Sequence, residues 1–191
     1  MAAARTRRIV IYGPSGSGKS TLGQELGRRL GLPWVELDAI YHSRPAWDDL
    51  STEEFRAAVP RALAEHQDGW VVDGNYAMVQ DLILPLADTA IWLRLPWRTV
   101  YPRLVRRTLA RSGSSEPLWG TNYETWRQTL FSRDSMLLWG IKAFRPHSRR
   151  VEVLLATVPH TAQVYQPRSP KQVAKVLKRL TPEPAEQRSG S

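Results

Sequence analysis

Short apolar runs alternate with longer stretches of helical period along this 191-residue chain. Five runs read as strands, at residues 8–12, 34–38, 70–73, 89–95 and 162–166, each apolar or β-branched. Lys19 to Leu30 reads as a helix with Leu22, Leu26 and Leu30 on one face, closed by Gly31-Leu32-Pro33. Ser51-Thr52-Glu53-Glu54 has the form of a capping box, and Phe55, Val59, Ala62 and Leu63 follow it at helical spacing. Pro60 is expected to interrupt and bend that helix. Further helices are predicted over 98–111, with Pro102 inside it, over a Trp-rich stretch at 122–144, and over 169–180 with Val173, Val176, Leu177 and Leu180 aligned. A Gly/Ser loop fills 112–117. Strands separated by helices imply a parallel sheet covered on both faces, with ligands at the carboxyl ends of the strands.

Composition narrows the class. The chain is 42% hydrophobic and 24% charged, which suits one globular domain, and no apolar stretch reaches membrane-spanning length. The N-terminal Arg5-Thr6-Arg7-Arg8 has signal-like charge, but only four apolar residues separate it from Gly13, too few for a signal core. Zero cysteines exclude disulfides and cysteine–zinc sites, and the expected compartment is the cytoplasm. The four histidines are scattered without metal-ligand spacing.

Net charge is +9, and much of the excess is local. Arg98, Arg103, Arg106, Arg107 and Arg111 share a segment without acids. Lys142, Arg145, Arg149 and Arg150 form a second group, and Lys171, Lys175, Lys178 and Arg179 a third. Three readings compete: solvated basic helices, nucleic-acid contacts, or phosphate clamps in a cleft.

The chemistry concentrates at Gly13-Pro14-Ser15-Gly16-Ser17-Gly18-Lys19-Ser20, a complete G-x-x-x-x-G-K-[ST] loop between a strand and a helix. Its glycines let successive backbone N–H groups converge on phosphate oxygens, and the helix start behind them adds positive dipole. Gly13, Ser15, Gly16, Ser17, Gly18, Lys19, Ser20 and Thr21 are the candidate nucleotide contacts. Lys19 reaches toward β- and γ-phosphates, and the Ser20 hydroxyl suits a hydrated Mg²⁺. The expected ligand is a nucleoside triphosphate.

Trp70-Val71-Val72-Asp73-Gly74 ends a strand in a carboxylate that can hold Mg²⁺ through water, or that simply opens a turn. Gly74 is expected to leave room for a substrate beside the backbone. In Val35-Glu36-Leu37-Asp38, strand alternation puts Glu36 and Asp38 on one face. Asp38 either accepts a substrate hydroxyl's proton or caps the following turn. Arg103, Arg107 and Arg111 recur every four residues, so one helix face presents three guanidinium groups to a lid. The alternative is a solvated basic face. Trp47, close after Tyr41 and His42, is the candidate for stacking on a substrate ring.

These motifs, with Leu95-Pro96 preceding Arg103 and Arg107, resemble the adenylate kinase-like nucleotide and small-molecule kinases. Val35-Glu36-Leu37-Asp38-Ala39-Ile40-Tyr41, Trp70-Val71-Val72-Asp73-Gly74-Asn75-Tyr76, Ala87-Asp88-Thr89 and Ser132-Arg133-Asp134-Ser135 resemble more closely the bacterial adenylate kinase-related proteins named for DNA topology modulation. The resemblance spans about residues 8 to 180. It implies Mg²⁺ at Asp73 and phosphate contacts from Arg103 and Arg107. Adenylate kinases, however, follow Asp-Gly with Phe-Pro-Arg, whose arginine grips the acceptor's phosphate, and Asn75-Tyr76-Ala77 offers none. Either Arg44 or Arg56 takes that role, or the acceptor carries no phosphate, as in the shikimate kinase branch, where an acid near the position of Asp38 meets a hydroxyl.

The combined expectation is an α/β P-loop NTPase fold, a three-layer sandwich with a five-stranded parallel sheet and a short lid. Residues 1–7 would be flexible, 8–180 one kinase domain with an acceptor insert at about 39–69 and a lid at about 107–122, and 181–191 disordered. The function would be phosphotransfer from Mg-ATP to a nucleotide, nucleoside or other small hydroxyl metabolite, by a monomer or homodimer. Lys19, Asp38, Arg103 and Arg107 would be catalytic. Asp38, Tyr41, Arg44, Trp47, Arg56, Gly74, Asn75, Tyr76 and Arg133 would meet the acceptor, and Ser20 and Asp73 the metal. The rivals are a nucleotide-dependent DNA regulator, with nucleic acid bound at most weakly, and an NTPase without an acceptor.

Overall fold

A computed structural model describes residues 7–45, 48–112, 151–156, 159 and 161–181. Its centre is β1 (Arg8–Tyr12), hydrogen-bonded in parallel to β3 (Trp70–Asp73) on one side and β4 (Thr89–Trp92) on the other. The edges are β2 (Trp34–Glu36) and β5 (Gln163–Tyr165), giving the all-parallel order β2-β3-β1-β4-β5. The central strands are buried on both faces, which is why they read as unbroken apolar runs.

Strand alternation divides the core into two layers. Ile9 and Ile11 join Leu22 and Leu26 of α1 (Lys19–Leu30) and Leu180 of the last helix, α6 (Pro170–Leu180). Val10 and Tyr12 point the other way, toward Phe55, Val59 and Leu63 of α3 (Thr52–Ala64). Sheet and helices on both faces make the expected three layers. Phe55 is fully buried, and truncating such a ring to alanine costs about 3–5 kcal/mol.

Local signals explain most elements. Ser51 Oγ accepts from the Glu54 N–H at 3.2 Å, and Glu54 Oε2 accepts from the Ser51 N–H at 2.9 Å, completing the capping box. Ser169 caps α6 by accepting from the Gln172 N–H. Pro60 lies inside a continuous α3, and Pro102 inside a continuous α5 (Trp97–Ser112), so neither proline breaks its helix. Residues 151–155 are also helical.

Three strands are shorter than the sequence suggests. β4 stops at Trp92 and β5 spans only Gln163–Tyr165. β2 stops at Glu36, and Leu37–Tyr41 form a short helix, α2, with Leu37 buried in the α3-side core and Ile40 and Tyr41 packed against it. Asp38 therefore sits in the first turn of a helix and not on the strand face shared with Glu36.

The topology fixes where a ligand enters. The chain leaves β1 through α1 toward β2, and leaves β3 through α4 (Gln80–Ile83) toward β4, in the opposite direction along the sheet. Adjacent strands with diverging connections open a crevice at their carboxyl ends. Gly13 and Asp73 lie at that crevice.

Candidate active site

The phosphate loop links β1 to α1. Gly18 takes a left-handed conformation (φ 92°) as the N-cap of α1, whose first turn carries no acid. A helix start without its own carboxylate leaves the N-terminal N–H groups and dipole to an external anion. Gly16, at φ 83°, lies so close to α5 that a Cβ there would stand 2.8 Å from the Val100 carbonyl.

A cleft of about 770 Å³ opens along this loop. Ser17, Lys19, Ser20 and Thr21 line one wall, Glu36 borders it, and Arg103 and Arg107 enter from α5. Arg106, between them in sequence, is exposed and does not line the cleft. The apolar side is made by Leu22, Leu95 and, from α6, Pro170, Val173 and Leu177. Glu36, Leu95 and this α6 wall were not singled out from the sequence as site residues, because nothing local says that α6 returns beside the loop.

Three carboxylates converge on Lys19. Burial pushes its ammonium pKa down, while the charges of Asp73, Asp38 and Glu36 pull it back up and Arg107 opposes them. Register explains two of the three, since Ile11 pairs with Asp73 and Asp73 with Glu36 across adjacent strands. Asp73 is 2% exposed, and burial pushes its pKa up to about 6 against the pull of Lys19 and of a hydrogen bond with Ser20. Its Oδ2 has no hydrogen-bond partner.

That orphaned oxygen, beside a serine hydroxyl and a phosphate loop, fits a hydrated Mg²⁺. Among the described residues no group of three His, Cys, Asp or Glu side chains could cage a metal. Magnesium needs no such cage, because it draws most of its ligands from phosphates and water.

On the other flank, burial pushes the Tyr76 phenol pKa far up, and the charge of nearby Asp38 adds to the shift. Tyr41 packs with Tyr76 and Phe55, ring centroids 5.0 and 5.1 Å away, and stands edge-on to His42, whose Nδ1 bonds Asp49. The structure brings Asp38, Tyr41 and Tyr76 together. Other candidates are engaged elsewhere. Arg56 makes two bonds of 2.7 Å to Asp81 and one to the Met78 carbonyl, a bidentate brace between α3 and α4. Arg44 pairs with Glu54 and Asp48.

Two acceptor candidates have partners within the chain. Asn75 bonds the Gly13 N–H and carbonyl through the two ends of its amide. Gly74 leaves no room for substrate, because a Cβ there would stand 2.7 Å from the Leu37 side chain. Its missing side chain admits α2 instead. Trp47, Arg133, the Arg111 side chain and most of the expected lid lie outside the described residues.

No protein-family model matches this chain. Over 45 residues it is 40% identical to a shikimate kinase of Actinobacillus pleuropneumoniae, covering 24% of this chain and 26% of that one. Over 85 residues it is 32% identical to a shikimate kinase of Francisella tularensis subsp. novicida, covering 39% and 48%. The match thus spans between about a quarter and a half of these relatives' length. Among solved structures, a shikimate kinase from Acinetobacter baumannii in complex with shikimate aligns over 92% of this chain and 93% of its own, at 16% identity and TM-score 0.55. A shikimate kinase from Bacteroides thetaiotaomicron aligns over 92% and 96%, at 17% identity and TM-score 0.53. These likenesses establish a fold shared with P-loop kinases. No helix among the described residues is long and apolar enough to cross a membrane.

Proposed function

We propose that this chain is an ATP-dependent phosphotransferase that moves the γ-phosphoryl group of Mg-ATP to a hydroxyl of a small metabolite. The observation that carries the reading is a cleft along a complete phosphate loop, lined by Lys19, Ser20, Glu36, Arg103 and Arg107, with Asp73 in register with Glu36 beside it. The partial likeness to shikimate kinases supports it. The apolar wall of α6 suits a nucleobase, and the loop suits the phosphates.

Each residue has a distinct task. Ser20 and Asp73 would hold the Mg²⁺, which when bound neutralises charge between the β- and γ-phosphates. Lys19 offsets charge on the transferring group. Asp38 stands where an acceptor hydroxyl can hydrogen-bond it and give up its proton, with Tyr41 and Tyr76 beside it. Arg103 and Arg107 meet the charge that spreads over the phosphoryl oxygens as transfer proceeds. Because Arg44 and Arg56 are matched to acids, a neutral hydroxyl compound fits this flank better than a nucleoside monophosphate. This reorders the sequence-based expectation in favour of nucleosides and other small hydroxyl metabolites.

The experiment is a thermal-shift screen of nucleosides, nucleotides and sugar metabolites with a non-hydrolysable ATP analogue and Mg²⁺ present. Hits are then assayed for transfer of labelled γ-phosphate. Stabilisation by the analogue, with transfer to at least one hydroxyl compound, is expected. A chain that ignores the analogue is not a kinase.

The residues that resemble proteins named for DNA topology modulation suggest a second reading. The exposed Lys171, Lys175, Lys178 and Arg179 of α6 favour only weak, non-specific duplex binding. Such binding should fall steeply with salt, and a sequence-specific footprint at physiological salt would reverse the ranking.

A further inference from the structure

The segment after β3 is tied to the backbone of Gly13 in the phosphate loop and to the side chain of Tyr12, the last residue of β1. Asn75 Oδ1 accepts from the Gly13 N–H at 3.3 Å, and Asn75 Nδ2 donates to the Gly13 carbonyl at 2.7 Å. The Tyr12 hydroxyl donates to Gln80 Oε1, and Gln80 Nε2 donates to the Tyr76 carbonyl at 3.1 Å. Tyr12 and Gln80 are 1% and 2% exposed, so water does not compete for their bond. Asn75 bridges one donor and one acceptor, and so does Gln80. Only an amide offers both, so Asp or Glu would set a lone pair against a carbonyl at Asn75, or leave the Tyr76 carbonyl without its donor at Gln80.

The contacts continue outward from Tyr76. Its ring packs on Tyr41, which shares the short helix α2 with Asp38, and on Phe55, each at 5.0 Å, and Gly74 admits Leu37, the residue before Asp38. An unbroken path of buried or half-buried contacts therefore runs from Gly13 to Asp38.

We infer that Asn75, Gln80 and Tyr76 are positioning residues that hold Asp38 in register with the phosphate loop, so that the nucleotide's site and the acceptor's carboxylate move as one body. The inference rests on the reading of the loop as a nucleotide site. Phosphoryl transfer requires the attacking oxygen near 3–3.5 Å and in line, and an error of 1 Å can cost about 10²-fold. Asp38 stands on α2, beyond the edge strand, and Gly13 follows the central strand. A clasp that fixes one against the other removes that error. Coupling of this kind is reciprocal, so occupancy of the loop must quieten the Asp38 side.

Hydrogen exchange on the full chain tests it, with Mg-ADP as the probe. In the wild type, Mg-ADP should slow backbone exchange at residues 16–20, at 74–80, and at His42, whose N–H donates to the Asp38 carbonyl at 2.9 Å. Slowing of at least about fivefold is expected at each. In Asn75→Ala the effect should persist at 16–20 and disappear at 74–80 and His42. Gln80→Met, of similar volume, should act in the same direction, and it carries the test together with the wild type if Asn75→Ala does not fold. A purely structural role would raise exchange equally with and without Mg-ADP, which would overturn the inference. Wild-type protection at 16–20 that never reaches 74–80 would also overturn it and leave the nucleotide site standing. No protection at 16–20 would remove the nucleotide reading, and the inference with it.

Discussion

On the phosphate-loop flank of the cleft, polar atoms stand without protein partners, as at Asp73 Oδ2 and Ser17 Oγ. On the flank of Asp38 they are matched within the chain: Arg44 with Glu54, Arg56 with Asp81, and Asn75 with Gly13. A buried polar group left unmatched costs about 1–3 kcal/mol, so it persists where a ligand supplies the missing bond. The loop flank keeps bonding capacity that its own chain does not use, and the Asp38 flank is braced by its own side chains.

The largest expected effect that bears on this contrast is Lys19→Ala. Removing the ammonium on which three carboxylates converge should lower phosphotransfer by at least ~10³-fold while the protein stays folded. Transfer of labelled phosphate and a thermal melt measure the two. Near-wild-type transfer would remove the distinction between the flanks.

Next in size are the arginines. Arg103→Ala or Arg107→Ala should lower kcat at least ~10²-fold with little change in ATP affinity, because such contacts strengthen in the transition state. Lysine should rescue poorly, lacking the planar fork. Arg106→Ala should have little effect, as its exposure outside the cleft implies. Three equal, mild losses in steady-state kinetics would identify α5 as a solvated basic helix.

The acids sharpen the contrast further. Asp73→Asn should raise the Mg²⁺ concentration for half activity by about tenfold, and should lower the melting temperature of the metal-free protein, since it removes the strongest counter-charge from buried Lys19. Asp38→Asn should leave the Mg²⁺ response alone and lower kcat or raise acceptor KM. Equal Mg²⁺ shifts in titrations of both variants would merge the two acids into one metal shell. Arg56→Ala, by comparison, should lower the melting temperature slightly and leave kcat unchanged, because its fork braces α3 to α4.

The smallest effect is a control on the surface of α1. Arg28 and Arg29 hold the Glu25 carboxyl down at about 2, from an ordinary 4.5. A lowered acid contributes stability that is complete above the unfolded value and is lost as pH falls through the folded one. The contribution should therefore fade between pH 4.5 and 2, and solvent keeps it small. Glu25→Gln should leave melting temperatures at neutral pH almost unchanged.

The fold was legible wherever local pattern and tertiary setting agree. β1 and β3 fall where their apolar runs lie, and the Ser51 cap falls where its side chains predict. The end of β2 was misread, because Val35-Glu36-Leu37-Asp38 alternates like a strand. The sheet has no further partner for it there, and Leu37 reaches the core as well from a helix. The phosphate loop was marked by its spacing, and the four-residue spacing of Arg103 and Arg107 matches their shared position on the cleft. The roles of Asn75 and Arg56 could not be identified that way, since their partners lie 62 and 25 residues away and each reads locally as an available polar side chain. Glu36 enters the site through register, which no single strand reveals.

Gly16 sets a tolerance. Its missing Cβ would lie 2.8 Å from the Val100 carbonyl and 3.0 Å from the Leu104 N–H, so loop and helix meet backbone to backbone. Arg103 and Arg107 ride on that same stretch of α5, and their offset from the loop is gauged by main chain and not by deformable side chains. Alanine at position 16 would act as a shim. It would push the arginine-bearing helix outward by about the thickness of a methyl group, and both guanidinium groups would travel with it. The spacing between α5 and the loop is thus set at a residue that has no side chain at all.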